Sequence, residues 1–394
     1  MASAPSDAAI SPPVAPLILR LQQIGRALEQ QFVDKQEVIQ LMLLSAVAGE
    51  HLLILGPPGT AKSALVARFA QLVSARYFEY LLTRFSEPSE LLGPLDVQAF
   101  REGIYRRRGE RLLPTAEVVF LDEIFKANSA ILNSLLSLLN ERRLHIGSER
   151  IDVPLLALFA ASNELPTDES LEALLDRFVL RVSCQNVQGY HFHDLMGRGL
   201  DMERQGAQEL SVAPQLTAAE LRTLQAALRR ALACPDALLA TYRDLIFQIR
   251  GEGIALSDRR AVRLLKLAVA SAFLDGRSEP DAGDLFVLRY AWNSPEQAET
   301  LDAIVRPVVD GPRQRRALGP QVATRIEDIL RELGRIRDLL RGAAELSDIQ
   351  LFAQLRALSG LRAALSSLPG DAAAAALREI DVLLAGVIGP AHSP

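Results

Sequence analysis

The sequence predicts an α/β protein: a five-stranded parallel sheet covered by helices on both faces, then an all-α region and a C-terminal helical bundle. Three observations carry this. Fully apolar runs of strand length alternate with amphipathic helical segments over residues 17–186, the pattern of a parallel sheet buried on both faces. A Gly/Pro-rich turn stands directly between the first such run and a helix. After Asn186 strand signals stop, while helical periodicity continues.

Residues 1–16 are rich in Ala, Ser and Pro, with no Lys or Arg before Arg20, and read as a disordered lead-in rather than a signal peptide. Leu17, Leu19, Leu21, Ile24 and Leu28 recur at helical spacing over 16–31, and a largely apolar helix follows over 37–49 with Gly49 as its stop. The strands are then 51–55, 77–82, 118–121, 155–161 and 178–182, interleaved with helices over 62–74, 129–141 (capped by Asn128 or Ser129) and 171–177. Two segments interrupt the alternation: a hairpin over 95–111, turning near Arg101-Glu102-Gly103, and another over 142–153, turning at Gly147-Ser148. Helices over 190–203, 217–232, 235–250, 258–275 and 280–292 make an all-α domain of residues 187–299. Three more, over 324–340, 349–365 and 372–387, fall in residues 300–394.

The bulk properties narrow the function. At 394 residues, two or three domains are expected. A net charge of −5 argues against a protein that coats nucleic acid. Cys184 and Cys234 are too few for a disulfide framework or a cysteine-built zinc site, and fit a reducing compartment as inert thiols. The longest apolar stretches, such as Leu41–Ala48, are too short to span a bilayer, so a soluble cytoplasmic protein is expected.

The strongest chemical signal is Gly56-Pro57-Pro58-Gly59-Thr60-Ala61-Lys62-Ser63, with Ala64 following, between strand and helix. Successive N–H groups of such a loop curl around phosphate oxygens at the positive end of the next helix, which implies ATP as ligand. Lys62 is expected to reach the β and γ phosphates and the Ser63 hydroxyl to ligate Mg2+. Ala61 stands where the general pattern has glycine, and is tolerable if that position lies in helical backbone space. The apolar run ending in Asp122-Glu123 supplies the complementary acids: Asp122 to hold Mg2+, and Glu123 to orient and activate the attacking water. Alone, four apolar residues before two acids mark no more than a strand leaving a core.

Asn163 ends the fourth strand, where a polar side chain can touch the γ phosphate or the water; the alternative is a turn-forming Asn before Pro166. Arg177 either projects towards a neighbouring subunit's γ phosphate or pairs structurally with Asp176. Arg259 or Arg260, behind the caps Ser257 or Asp258, either folds back onto phosphates or lies on a solvated face. Arg101, Arg106, Arg107, Arg108 and Arg111 form a basic cluster that binds nucleic acid or an acidic partner, or is simply a solvated, partner-facing hairpin. His191 and His193 flank Phe192 without a carboxylate or thiol pattern that would make them metal ligands.

Taken together, residues 56–63, Phe120-Leu121-Asp122-Glu123-Ile124, Ala161-Ser162-Asn163-Glu164-Leu165-Pro166 and Leu175-Asp176-Arg177-Phe178 resemble the MoxR group of AAA+ ATPases. Arg84-Phe85-Ser86-Glu87-Pro88, Asn140-Glu141-Arg142 and Ser257-Asp258-Arg259-Arg260 resemble its RavA branch in particular, and the similarity covers about residues 17–293. Ala61 matches the usual loop of that group, whereas Phe125-Lys126 departs from the Asn-Arg of most MoxR proteins but suits the RavA branch. The resemblance implies an AAA+ core over 17–186, a lid over 187–299, and a homo-hexameric ring with ATP at subunit interfaces and Arg177 acting in trans. It implies Asn163 as sensor 1, Arg259 (less readily Arg260) as sensor 2, residues 95–111 as the helix-2 insert and 142–153 as the pre-sensor-1 hairpin. It also implies a chaperone-like remodeller of protein complexes, with a von Willebrand factor A domain partner. The β-rich insert of RavA proteins has no room in the helical residues 300–394. Two other functions compete: a nucleic-acid-dependent motor of helicase-loader type, and a nucleotide-gated scaffold.

Overall fold

A computed structural model describes residues 14–94, 101, 111–146, 149–166, 168, 171–187, 194–200, 215–316 and 371–388, with scattered positions between 330 and 365. The chain divides into two compact units, Met1–Val187 with Arg198–Val309 and Gln188–Gly197 with Asp310–Pro394. Arg106, Arg107 and Arg108, the turn at 147–148, and His191 and His193 lie outside the described residues.

The first unit begins with α1 (Ala15–Gln31), so that Pro16, expected at the end of a lead-in, sits in the first helical turn where its missing N–H costs nothing. α2 (Gln36–Ala48) ends where Gly49 takes a φ of 65°, the left-handed turn that closes a helix. There follow β1 (Leu52–Leu55), α3 (Lys62–Leu72), β2 (Tyr77–Leu81), α4 (Pro88–Leu92), β3 (Val118–Asp122), α5 (Ser129–Glu141), the hairpin β4 (Arg143–Ile146) and β5 (Glu149–Asp152), then β6 (Ala157–Ser162), α6 (Glu172–Leu175) and β7 (Leu180–Ser183). Asn128, not Ser129, caps α5, its side chain accepting the Ile131 N–H at 3.1 Å.

The central sheet is parallel throughout, in the order β2-β3-β6-β1-β7. The period of two splits its side chains between two cores. Leu52, Ile54, Val118, Phe120, Ala157, Phe159 and Ala161 join the core that also takes residues of α1, α2 and α3. Leu53, Val119, Leu121, Leu158 and Ala160 pack instead with Ile131, Leu135 and Leu138 of α5.

The all-α segment adds α7 (Ala218–Arg230), α8 (Asp236–Gly251), α9 (Asp258–Leu274) and α10 (Gln297–Arg316). Its apolar residues up to Val309 belong to the same core as α1 and α2, so sheet and helices share one interior. Thr217 and Glu220 form a reciprocal capping box at α7, and the Ser257 hydroxyl caps α9. Residues 280–292, expected as an α-helix, wind instead as a 3-10 helix over Ala282–Tyr290. Gly283 through Leu288 are buried in succession, so the segment lacks the single apolar stripe of an amphipathic α-helix.

In the second unit α11 (Asp371–Ile388) supplies Ala376 and Ile380 to a small core with Leu333, Ile336, Leu358, Leu361 and Leu365. The ion pairs Arg337–Glu379 (3.1 Å) and Arg362–Asp381 (2.9 Å) flank it. Every described position from 330 to 365 is helical, in keeping with the expected bundle.

Candidate nucleotide site

β1 delivers the chain into the loop Gly56–Ala61 at the carboxyl end of the sheet, between its neighbours β6 and β7. The Gly56 N–H donates to the Ser162 carbonyl at 3.0 Å and the Cys184 N–H to the Leu55 carbonyl at 2.7 Å. A Cβ at Gly56 would stand 2.0 Å from the Cys184 carbonyl oxygen, so only glycine fits. Cys184, expected to be inert, is buried beneath the loop, its thiol 3.7 Å from the Thr60 carbonyl. The Thr60 hydroxyl donates to the Pro57 carbonyl at 3.0 Å, and the buried Lys62 ammonium donates to the Gly56 and Pro57 carbonyls, both at 2.8 Å.

Ala61 has φ 62° and ψ 25°, the left-handed mirror of helical space rather than right-handed helix. An L-residue there bears a strain of about 1 kcal/mol, which explains why glycine is the general choice. Ala61 caps α3 without any side-chain hydrogen bond. The N-cap position therefore offers the first N–H groups of α3 no side-chain acceptor, and a phosphate fits as the missing cap.

Asp122 ends β3, and Glu123 turns sharply at φ 53°, its N–H donating to Asp122 Oδ1 at 3.0 Å. The Glu123 side chain is nearly buried. Its Oε1 accepts a hydrogen bond from Asn163 Nδ2 at 2.5 Å and stands 3.3 Å from Lys126 Nζ. The strand order explains the first contact: β6 lies between β3 and β1, so Asn163 emerges between the acids and the loop. Lys126 was marked in the sequence only as a departure from the family pattern, and its pairing with Glu123, at a spacing of three, was not anticipated. Ser63 and Asp122 offer oxygen ligands at this end of the sheet. Among the described residues no group of three His, Cys, Asp or Glu is placed to hold a metal ion.

The three arginines lie elsewhere. β7 pairs with β1 in register Leu52↔Leu180 to Leu55↔Ser183, so Arg177, before β7, is at the amino end of the sheet. At about 3.3 Å per residue the three steps between the first and last paired positions alone put roughly 10 Å between the two ends. Arg177 Nη1 stands 3.5 Å from Asp176, and its Nε is buried without an acceptor. Arg259 Nη2 donates to Asn140 Oδ1 at 2.7 Å. Arg260 is 1% exposed, its guanidinium bound to the Val179 carbonyl (3.2 and 3.3 Å), Asn293 Oδ1 (2.7 Å) and the Trp292 carbonyl (3.4 Å). Burial lowers its pKa to about 10, which still leaves it charged. Arg260 is thus a structural arginine, and of the two candidates only Arg259 has an accessible guanidinium.

The family model for the MoxR domain of MoxR–vWA–β-propeller ternary systems matches residues 19–226, and an AAA lid domain model matches 237–305. The chain belongs to the MoxR family of AAA+ ATPases. An uncharacterised protein of Methanocaldococcus jannaschii is 37% identical over 283 residues, 70% of this chain and 72% of that protein. Named MoxR relatives align over shorter stretches. The chaperone MoxR1 of Mycobacterium tuberculosis is 26% identical over 38% of this chain and 40% of its own length. The MoxR protein of Paracoccus denitrificans is 28% identical over 42% of this chain and 50% of its own length. The crystal structure of a candidate ATPase from Cytophaga hutchinsonii superposes with a TM-score of 0.62 over 74% of this MoxR chain and 95% of its own, at 18% identity, and shares the fold. Among the described residues no helix is long and apolar enough to cross a membrane.

Proposed function

We propose that this MoxR protein hydrolyses ATP with Mg2+ at the carboxyl end of its sheet, between adjacent copies in a ring, and uses the cycle to remodel protein complexes. The observation that carries the hydrolytic half is the Asn163–Glu123 hydrogen bond of 2.5 Å at the sheet end that bears the phosphate loop. Backbone N–H groups from Gly59 to Ala64 and the Lys62 ammonium bind the phosphates. Ser63 and Asp122 hold the cation, whose charge offsets that of the phosphates. Glu123 accepts the proton of the attacking water, with Asn163 fixing its carboxylate.

The ring half is supported by position. Arg177 precedes β7 at the end of the sheet opposite the loop, and Arg259 is exposed beside Asn140, which supports the reading that both arginines serve the nucleotide of a neighbour. A homo-hexamer is the assembly we favour. The description of the matching family supports a von Willebrand factor A domain protein as partner, with a β-propeller protein as a third component. The RavA-branch reading rests on the motifs at 84–88, 140–142 and 257–260 alone. The nucleic-acid alternative rests on Arg101, Arg106, Arg107, Arg108 and Arg111, of which Arg106, Arg107 and Arg108 lie outside the described residues.

The test is Glu123→Gln. Turnover should fall at least about a hundredfold while ATP binding by calorimetry persists, and the locked protein should capture a vWA-domain protein in a pulldown. Unchanged turnover would remove Glu123 as the base and favour the nucleotide-gated scaffold.

A further inference from the structure

We infer that Asp176 is a positioning residue which holds Arg177 and Arg259 as one unit towards the adjacent copy's nucleotide. The inference rests on the trans reading of Arg177 given above. One carboxylate makes both connections: Arg177 Nη1 stands 3.5 Å from Asp176 Oδ2, and the Ser257 hydroxyl donates to Asp176 Oδ1 at 3.0 Å, with Oδ2 at 3.4 Å. Ser257 in turn caps α9 by accepting the Arg260 N–H at 3.2 Å, and Arg259 is the second residue of that helix. Asp176 therefore ties the arginine before β7 to the helix end that presents the other arginine, across 81 residues of sequence.

Four arginines surround this carboxylate. Arg177 touches it, and its charge is felt by Arg181, Arg259 and Arg260. Arg181 and Arg260 are buried, and the Nη groups of Arg181 and the whole guanidinium of Arg260 bind Leu175, Val179, Trp292 and Asn293, so they brace α9 against β7. The other two are left to act. Among the described residues Arg177 Nε has no acceptor, and the 3.5 Å contact to Asp176 is long for a charge-assisted hydrogen bond. Such a guanidinium is steered by its carboxylate without being saturated by it. Losing the carboxylate would free Arg177 to swing and loosen the cap beside Arg259, while nothing at the phosphate loop would change.

The test uses the full-length protein and reads ATPase kinetics, nucleotide binding and melting temperature together. Asp176→Ala should lower kcat by about ten- to a hundredfold, the usual cost of a misplaced catalytic group, with KM for ATP and the calorimetric Kd within about twofold. Mixing Asp176→Ala with Lys62→Ala subunits, which lack a working loop but carry intact arginines, should restore turnover above the sum of the two alone. Ser257→Ala should show the same kcat-selective loss in weaker form, and Ser257→Thr, which keeps the hydroxyl, should restore it. If Asp176→Ala fails to fold, Asp176→Asn and the Ser257 pair carry the test, because a purely structural role would move the melting temperature and ATP binding along with kcat. Wild-type kcat in Asp176→Ala, or a loss of ATP binding in parallel, overturns the inference. Full activity in Arg177→Ala would instead sink the trans reading itself.

Discussion

The side-chain amide of Asn163 donates to the carboxylate of Glu123 at 2.5 Å, bridging the carboxyl ends of β6 and β3. The acid is thereby aimed before any substrate arrives. Asn163→Ala should reduce kcat by about a hundredfold, comparable to losing one preorganised polar group, with ATP affinity little changed. Stopped-flow binding of a fluorescent ATP analogue beside steady-state turnover separates the two effects.

Arg259 and Arg260 are adjacent in sequence and opposite in consequence. Arg260→Ala removes both guanidinium bonds to the Val179 carbonyl, leaves Asn293 and the Trp292 carbonyl to Arg181 alone and empties a buried site, and should destabilise the fold by about 3 kcal/mol. Arg259→Ala removes an accessible guanidinium and should shift stability by less than about 0.5 kcal/mol while abolishing turnover. Urea denaturation with an ATPase assay distinguishes them.

Gly56→Ala would force a methyl to within 2.0 Å of the Cys184 carbonyl oxygen. Neither backbone can give way without breaking the β1–β7 ladder, so a loss of more than about 3 kcal/mol is expected. It should appear as a drop in soluble yield and melting temperature even without nucleotide.

Ala61→Gly should do the opposite. Relief of the left-handed strain outweighs the added freedom of the unfolded chain, for a net gain of about 0.5 kcal/mol. Denaturant midpoints of the nucleotide-free protein measure it directly, and turnover should be retained.

His51 is buried, its Nε2 3.0 Å from the Leu139 carbonyl. Burial lowers its pKa to about 3, with Arg142, Arg263 and Lys266 also opposing its charge. Neutral in the fold but protonated in the unfolded chain below about pH 6.5, it contributes stability that is fully present above that value and lost as pH falls towards 3. The full span is on the order of 4 kcal/mol. His51→Gln keeps a donor for Leu139 and should flatten the decline in melting temperature between pH 6.5 and pH 4.

Strands β1, β3 and β6 were readable from the sequence to within a few residues because each is built on an unbroken apolar run, and β2 and β7 from shorter apolar stretches interrupted by Glu79 and Arg181. The phosphate loop and the acids at 122–123 were readable because their chemistry needs those residue types side by side in the chain. What stayed hidden depends on contacts between distant segments. Which of two neighbouring arginines faces solvent turns on a rotation of 100° about α9, set by where Val179 and Asn293 meet that helix. The bond between Asp176 and Ser257 has no local signature at all. The left-handed backbone of Ala61 was out of reach because alanine avoids that region unless the surrounding loop imposes it.

The register of β7 on β1 bears on the assembly proposed above, because it puts Arg177 and the phosphate loop at opposite ends of the sheet. In the ring reading each copy turns its front to the back of the next, a head-to-tail contact. Such a contact closes into a circle when its rotation divides evenly into a full turn and grows into a helix when it does not. A single substitution that tilts this contact by a few degrees could therefore turn a soluble particle into a fibre without touching the chemistry.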